Sequence, residues 1–324
     1  MKKCCFIIPF FGKMPNYFPL FLKTCKYNPD FNWLIITDDN TEYNYPSNVE
    51  KIKMTFNELR KLIQSKFDFQ ISLQKPYKLC DFKPAYGLVF EEYLKDFRFW
   101  GYCDTDILIG NINKFITEEL LSNYDKIFCL GHMTLFKNTI DNNRLFMEEI
   151  NGEYWYKEAF MNPKNVIFDE DCISPKNVHQ IYLSKGKRVL EEDWSINFKI
   201  LPTRFIKIKY KSDIKDFILD DQDAIYLWEN GNICRYILKD GALEKEEYLY
   251  IHFQERRMNI KQKVINNNVI KIIPNRFVDL EVSEITKKNF NKIKKNTISL
   301  HFFQYHYKWK KKRIKEILGL TKNK

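Results

Sequence analysis

The sequence predicts an α/β protein, with a mixed sheet of short buried strands flanked by helices and a β-rich part toward the C-terminus. Three stretches carry that prediction. Residues 3–37 read as strand, helix-sized segment, strand. Residues 99–110 hold another apolar strand that ends in two acids one residue apart, and beyond Ala224 the pattern changes to paired hairpin strands. A strand, helix, strand start belongs to sheets that meet their ligands beyond the carboxyl ends of the strands.

Lys3 to Phe11 is an apolar run closed by Pro9 and Gly12, as suits a buried parallel strand. Pro15 to Tyr27 can form a helix with Leu20, Phe21 and Thr24 on one face, and Asn32 to Thr37 is a second buried strand ending in Asp38-Asp39-Asn40. Thr55 to Lys66 is predicted helical, because Thr55 and Glu58 make a capping box. Pro76 to Pro84 leads into a helix reaching Tyr93 or Leu94. Ile112 to Leu121 reads as a short helix, Asp125 to Phe136 as a strand, and Asn151 to Met161 as an aromatic helix. Asn165 to Val178 is turn-rich and acidic. Ala224 to Trp228, a Glu-Asn-Gly-Asn turn and Ile233 to Leu238 form a strong hairpin signal. Tyr248 to Phe253 is β-favouring and contains His252, while Val269 to Ile273 and Ser283 to Asn291 read as a strand and a helix.

Composition narrows the class. With 44% hydrophobic and 16% aromatic residues in 324, the chain can bury a substantial core and is not disordered. No apolar run approaches the roughly 18 residues of a membrane span. Met1-Lys2-Lys3 is followed by an apolar run that stops at Pro9, with no small-residue cleavage site, so no signal peptide is expected. Eight cysteines lack paired spacings and predict reduced thiols in the cytoplasm, with no disulfide framework or zinc site. The net charge of +11 is concentrated in the tail, where eight Lys/Arg face one acid from His306 onward, leaving 45 against 41 in the rest. A near-neutral body argues against nucleic-acid binding, which needs a basic groove on the folded domain. The tail instead combines basic residues with Trp309, Ile314, Ile317 and Leu318, a pattern that suits an anionic membrane surface.

The chemistry-bearing residues converge on Asp104-Thr105-Asp106. In an extended segment residues i and i+2 share a side, so the two carboxylates can meet one divalent cation. The same triplet also suits a turn between strands. Imidazole is a good third ligand for an ion of the Mn²⁺ type, and His252 is the candidate. Asp81 and Lys83, just upstream, suit a ribose- or base-contacting acid and a phosphate-contacting lysine. Pro9, Phe10, Phe11 and Asp38 fall at strand ends on the expected binding rim. Neither G-x-G-x-x-G nor a P-loop motif is present, so those two nucleotide fingerprints are missing. His132, Asp169, Glu170 and Asp193 lie in polar loops that could meet a second substrate, with Glu170 or Asp193 as a base. Arg256 could meet phosphate oxygens.

The set of KLCDFKPAYG (residues 78–87), WGYCDTDILIGNI (100–112), GHMTLFKN (131–138) and YLYIHFQERRM (248–258) resembles bacterial glycosyltransferases of the GT-A fold from polysaccharide gene clusters. It is similar to retaining lipopolysaccharide galactosyltransferases and glycogenin-like enzymes. The resemblance covers most of residues 1–257 and implies a Rossmann-like GT-A catalytic domain there. Its nucleotide-sugar half would span about 1–136 and its acceptor half about 137–257, followed by an extension (258–305) and the basic tail (306–324). It implies that Asp104, Asp106 and His252 bind Mn²⁺ (or Mg²⁺), with Thr105 beside them. The ion would bridge the diphosphate of a nucleoside-diphosphate sugar, such as a UDP-hexose. The acceptor would be a cell-surface or lipid-linked glycan on the inner face of the cytoplasmic membrane. The chain departs from those families after the histidine, with Phe253-Gln254-Glu255-Arg256-Arg257 where they carry a Gly and a Lys-Pro-Trp segment. Two rival readings use the same features: a nucleotidyl- or phosphoryl-transferase with further acids for a second metal, and a non-enzymatic basic binder of nucleic acid or membrane.

Overall fold

The computed structural model describes residues 1–201, 204–254, 256, 258–294 and 300–318. They fall into two compact units. The first is Met1–Ile107, Asn111–Trp194 and Tyr210–Phe217; the second is Leu108–Gly110, Ser195–Lys209 and Ile218–Lys324.

In chain order the first unit begins with β1 (Lys2–Pro9), α1 (Phe18–Lys26), β2 (Phe31–Thr37), β3 (Val49–Lys53) and α2 (Phe56–Gln64). Both expected strands form, because their apolar residues fill a buried sheet from both faces. The α2 helix starts where the capping box places it: the Thr55 side chain accepts from the Glu58 N–H and Glu58 returns to the Thr55 N–H. Residues 76–93 are not one helix. They fold as successive single turns, Pro76–Lys78, Leu79–Phe82, Lys83–Ala85, Tyr86–Val89 and Glu91–Tyr93. Pro84 has no N–H to continue an α-helix. The Trp100 ring lies so close to Gly87 that a Cβ there would meet it at 2.4 Å.

Next come β4 (Phe97–Cys103), β5 (Ile107–Ile109), β6 (Lys126–Ile127), β7 (Met133–Lys137) and β8 (Val189–Leu190). The strand expected over residues 125–136 is split into β6 and β7, because Phe128 takes a φ of 71° and its N–H donates to Leu190 O. The expected 112–121 helix likewise resolves into a turn, Ile112–Lys114, and a helix, Glu118–Asn123, capped by Thr117. The seven-stranded sheet has the order β3-β2-β1-β4-β7-β6-β8. Strands β3, β2, β1 and β4 are mutually parallel, and β7 runs against β4. The sequence order reverses at β1, with β2 and β3 on one side of it and β4 on the other. Ligands of open α/β sheets bind at such a reversal, outside the carboxyl ends.

The second unit contains β9 (Ser195–Phe198), most of β10 (Lys207–Lys211) and β11 (Asp216–Asp220), then β12 (Ala224–Glu229), β13 (Asn232–Lys239), β14 (Ala242–Tyr248), β15 (Tyr250–His252), β16 (Val269–Ile273) and β17 (Arg276–Asp279). The predicted hairpin is β12–β13, with Glu229 opposite Asn232. Asn230 and Gly231 between them have φ of 49° and 85°, the paired positive values of a tight hairpin turn. Strands β14-β13-β12-β16-β17 form an antiparallel sheet. Ile285, Phe290 and Ile293, on and just before the helix Lys287–Ile293, share a core with Ile225, Leu227 and Cys234 of that sheet. Residues 258–294 therefore complete this unit's own core. A further sheet has the order β11-β10-β9-β15-β5. The last element is a helix, Leu300–Ile317. All eight cysteines are free thiols. Among the described residues, no helix is long and apolar enough to cross a membrane.

Candidate metal centre

Because β1, β2 and β4 are parallel, the loops leaving them emerge at one edge of the seven-stranded sheet. Met133 pairs with Cys103, so Gly131 and His132, entering β7, emerge there too. The edge is knitted together by short polar contacts. The Phe10 N–H donates to Ile36 O at 2.8 Å, and Asp38 Oδ1 accepts from the Gly12 N–H at 2.7 Å. Asp39 Oδ2 takes the Met14 N–H at 2.9 Å. Burial pulls the Asp39 carboxyl up, but the N–H of Met14 and the hydroxyl and N–H of Thr41 hold it at about 2. The Phe11 ring meets Phe56 edge-on at 5.4 Å. Phe10, Phe11 and Asp38 are thus each held by a contact just beyond the ends of β1 and β2.

Asp104, Thr105 and Asp106 lie in a bend that joins β4 to β5, not inside an extended strand. The triplet is therefore both things the sequence allowed: a turn, and a point where two carboxylates approach each other. The Asp104 N–H donates to His132 O at 3.1 Å. From the turn Lys83–Ala85, Lys83 Nζ reaches Asp104 Oδ1 at 2.9 Å, Gly131 O at 2.7 Å and Asp169 Oδ2 at 3.3 Å. It also lies 5.2 Å from the centre of the Tyr102 ring. Burial works against the Lys83 charge, but Asp104 and Asp169 outweigh it and push the ammonium well above its ordinary range. Burial raises Asp169 to about 7; Lys83 pulls the other way, while Glu170 and Asp104 add to the rise. Asp169 Oδ1 is buried with no hydrogen-bond partner among the described residues. The Gly131 N–H donates to Glu170 Oε2 at 2.9 Å, and a Cβ on Gly131 would stand 2.6 Å from Asp169 Oδ2. Only glycine lets these acids approach.

On the other side of the bend the chain enters β5, which lies beside β15. The Gly110 N–H donates to Leu249 O at 2.7 Å, and a Cβ there would meet Tyr248 O at the same distance. Glycine is required by that approach, and the approach fixes β5 against the strand that carries His252. His252 is buried at the end of β15. One carboxylate oxygen from Asp104, one from Asp106 and a ring nitrogen of His252 all lie within 4.8 Å of one another. Donors sharing one hard cation at about 2.0–2.6 Å stand no more than about 4–5 Å apart. Two carboxylates and an imidazole suit Mn²⁺ better than a soft ion. The residues fit such a cation.

The remaining expected residues are placed as follows. His132 and Thr105 are buried beside the acids' bend. Asp193 is buried and gives Oδ2 to the Tyr210 N–H at 2.9 Å. Asp81 sits inside the fold. It is fully buried, pairs with Lys78 at 2.6 Å and accepts from the N–H groups of Val166 and Phe168. Through these contacts it ties the turn Leu79–Phe82 to the segment at Val166 and Phe168. The buried guanidinium of Arg256 reaches the chain's own carbonyls. It donates to Lys199 O and Leu201 O at 2.8 Å and lies over the Phe198 and Phe205 rings. Glu255 and Arg257 lie outside the described residues. Sequence reasoning missed Tyr17, whose phenol is pushed up by burial and then by the negative charge of Asp106. Nothing in its local pattern marks it.

Among known families, the profile of one of unknown function (DUF6625) fits residues 6–281. No curated protein matches the chain.

Proposed function

The chain belongs to DUF6625, a family of unknown function, and we propose from its own residues that it is a metal-dependent GT-A-type glycosyltransferase. It moves a sugar from a nucleoside-diphosphate sugar, a UDP-hexose in the first instance, to a cell-surface or lipid-linked glycan. The observation that carries this reading is the Asp104, Asp106 and His252 donor trio, two of whose members follow β4 at the point where the sheet order reverses. A nucleotide on that edge would set its diphosphate beside the acids, where two like charges call for a cation.

Asp104, Asp106 and His252 would hold Mn²⁺ or Mg²⁺, which supplies charge neutralisation for the diphosphate and for the departing nucleoside diphosphate. The chain's other residues position and exclude. Lys83 fixes the rotamer of Asp104 by holding Oδ1, and the same ammonium ties down Gly131 O and Asp169. Asp38 holds the loop after β1 in shape through the Gly12 N–H, leaving Pro9 to Phe11 as a wall for the nucleoside. His132, Asp169 and Glu170 form the acceptor side, next to the acids through Gly131 and Lys83. We favour retention of the anomeric configuration, since a histidine completing the acid pair is the arrangement of the retaining enzymes that the sequence resembles.

The test is hydrolysis or transfer from a panel of UDP-, GDP- and CMP-sugars with and without Mn²⁺. Turnover of a UDP-hexose that requires Mn²⁺ and is lost in Asp104→Ala is the expected result. The reading fails if no donor binds and Asp104→Ala leaves metal affinity unchanged.

A further inference from the structure

We infer that the C-terminal helix Leu300–Ile317 is an interfacial anchor for an anionic lipid surface. This inference does not depend on the proposed reaction. The helix is eighteen residues long, and its side chains sort by angle. With successive residues about 100° apart, Phe303, Tyr307, Ile314, Ile317 and Leu318 fall within an arc of about 100°. Leu318 extends the last turn through its N–H to Ile314 O at 3.0 Å. These five are among the large apolar residues that the fold leaves exposed, with Tyr307 at 67% and Ile317 at 76%.

The flanks and back of the same helix carry Lys308, Lys311, Lys312 and Lys315, with Arg313 on the opposite flank, all exposed. Lys310 alone interrupts the apolar arc, near its edge. Arg313 lies 5.7 Å from the centre of the Trp309 ring, a pairing of cation and indole suited to the headgroup level. An exposed apolar stripe bordered by cations is the pattern of a helix that lies in the plane of a membrane interface. Charge complementarity then selects an anionic surface over a neutral one. The body of the protein is close to neutral, so the basic charge is placed where a membrane, and not a nucleic-acid groove on the domain, would use it.

Cosedimentation of the full chain with lipid vesicles tests this. The probes are vesicles of phosphatidylcholine alone and of phosphatidylcholine and phosphatidylglycerol in equal parts. The chain should bind the mixed vesicles and not the neutral ones. Replacing Tyr307, Ile314, Ile317 and Leu318 together by Ser should lower partitioning by about tenfold or more. Replacing Lys308, Lys311, Lys312 and Lys315 together by Gln should lower it similarly and flatten its salt dependence. Circular dichroism and unchanged thermal unfolding of the body establish that the variants are folded. Equal vesicle binding by the serine variant overturns the inference. So does a dimer that forms without lipid and dissolves in that variant while vesicles go unbound, or retention of single-stranded nucleic acid in place of vesicles.

Discussion

Lys78 and Lys83 lie five residues apart in one run of short turns, both are buried, and each pairs with an aspartate, yet the two pairs are built for different ends. Around Lys78 every valence is closed. Its ammonium donates to Asp81, Ala159 O and Lys164 O, and Asp81 accepts two further backbone N–H groups. Around Lys83 the circuit is left open. One lysine is divided between two acids, Asp169 keeps an oxygen with no partner among the described residues, and the Asp104 side chain is one-third exposed. A buried ion pair stabilises only when the remaining lone pairs and protons are also satisfied. The first arrangement meets that condition, and the second leaves Asp169 Oδ1 outside it.

The comparison breaks first at Asp81. Asp81→Ala leaves the Lys78 charge buried and should cost about 3–5 kcal/mol of stability in urea unfolding; a loss within 1 kcal/mol would remove the distinction. Asp104→Asn should do the reverse. It should change stability by no more than about 1 kcal/mol while weakening Mn²⁺ binding by about tenfold or more, read as the loss of Mn²⁺-induced thermal stabilisation. A variant that unfolds without losing its Mn²⁺ response would place Asp104 with Asp81.

The pH response sharpens the same contrast. Asp169 is raised from its ordinary value to about 7 in the folded chain. Between about pH 4 and 7 the folded state therefore holds a proton that the unfolded state has released, and stability falls as pH rises through that window. Metal-free Asp169→Asn should flatten this fall, measured as the urea midpoint against pH. An unchanged slope would mean that Asp169 titrates as an ordinary carboxylate. The smallest effect expected is a control outside both networks: Thr55→Ala removes the α2 cap at a cost of about 1 kcal/mol and should leave the Mn²⁺ response as it was.

What the sequence reveals here is local. The strand, helix, strand start, the Thr55–Glu58 capping box and the Asn230-Gly231 hairpin each announce themselves within a few residues, because the physics that forms them acts over a few residues. Asp104-Thr105-Asp106 is legible for the same reason. The Lys83 network is not, since its members at 83, 104, 131 and 169 meet only through the order of the sheet. Breaks in regular structure are equally hidden. A left-handed Phe128 and a run of single turns through Pro84 and Gly87 are set by what surrounds them, and local propensity argued for a continuous strand and helix. The burial of Asp81 and Arg256 is hidden in the same way, because a charged side chain in a polar run looks open to solvent.

The contact of Gly110 with the backbone of Tyr248 and Leu249 has a consequence for the order in which the protein is made. The two acids leave the ribosome early, but β5 has no neighbour until the strand bearing His252 has followed, and the trio spans 148 positions of chain, from 104 to 252. A nascent chain that ends before that strand carries the acid pair without its third donor. On the proposed reading an ion would find all three donors only in the finished protein, and its binding energy would add to stability only once synthesis has passed β15.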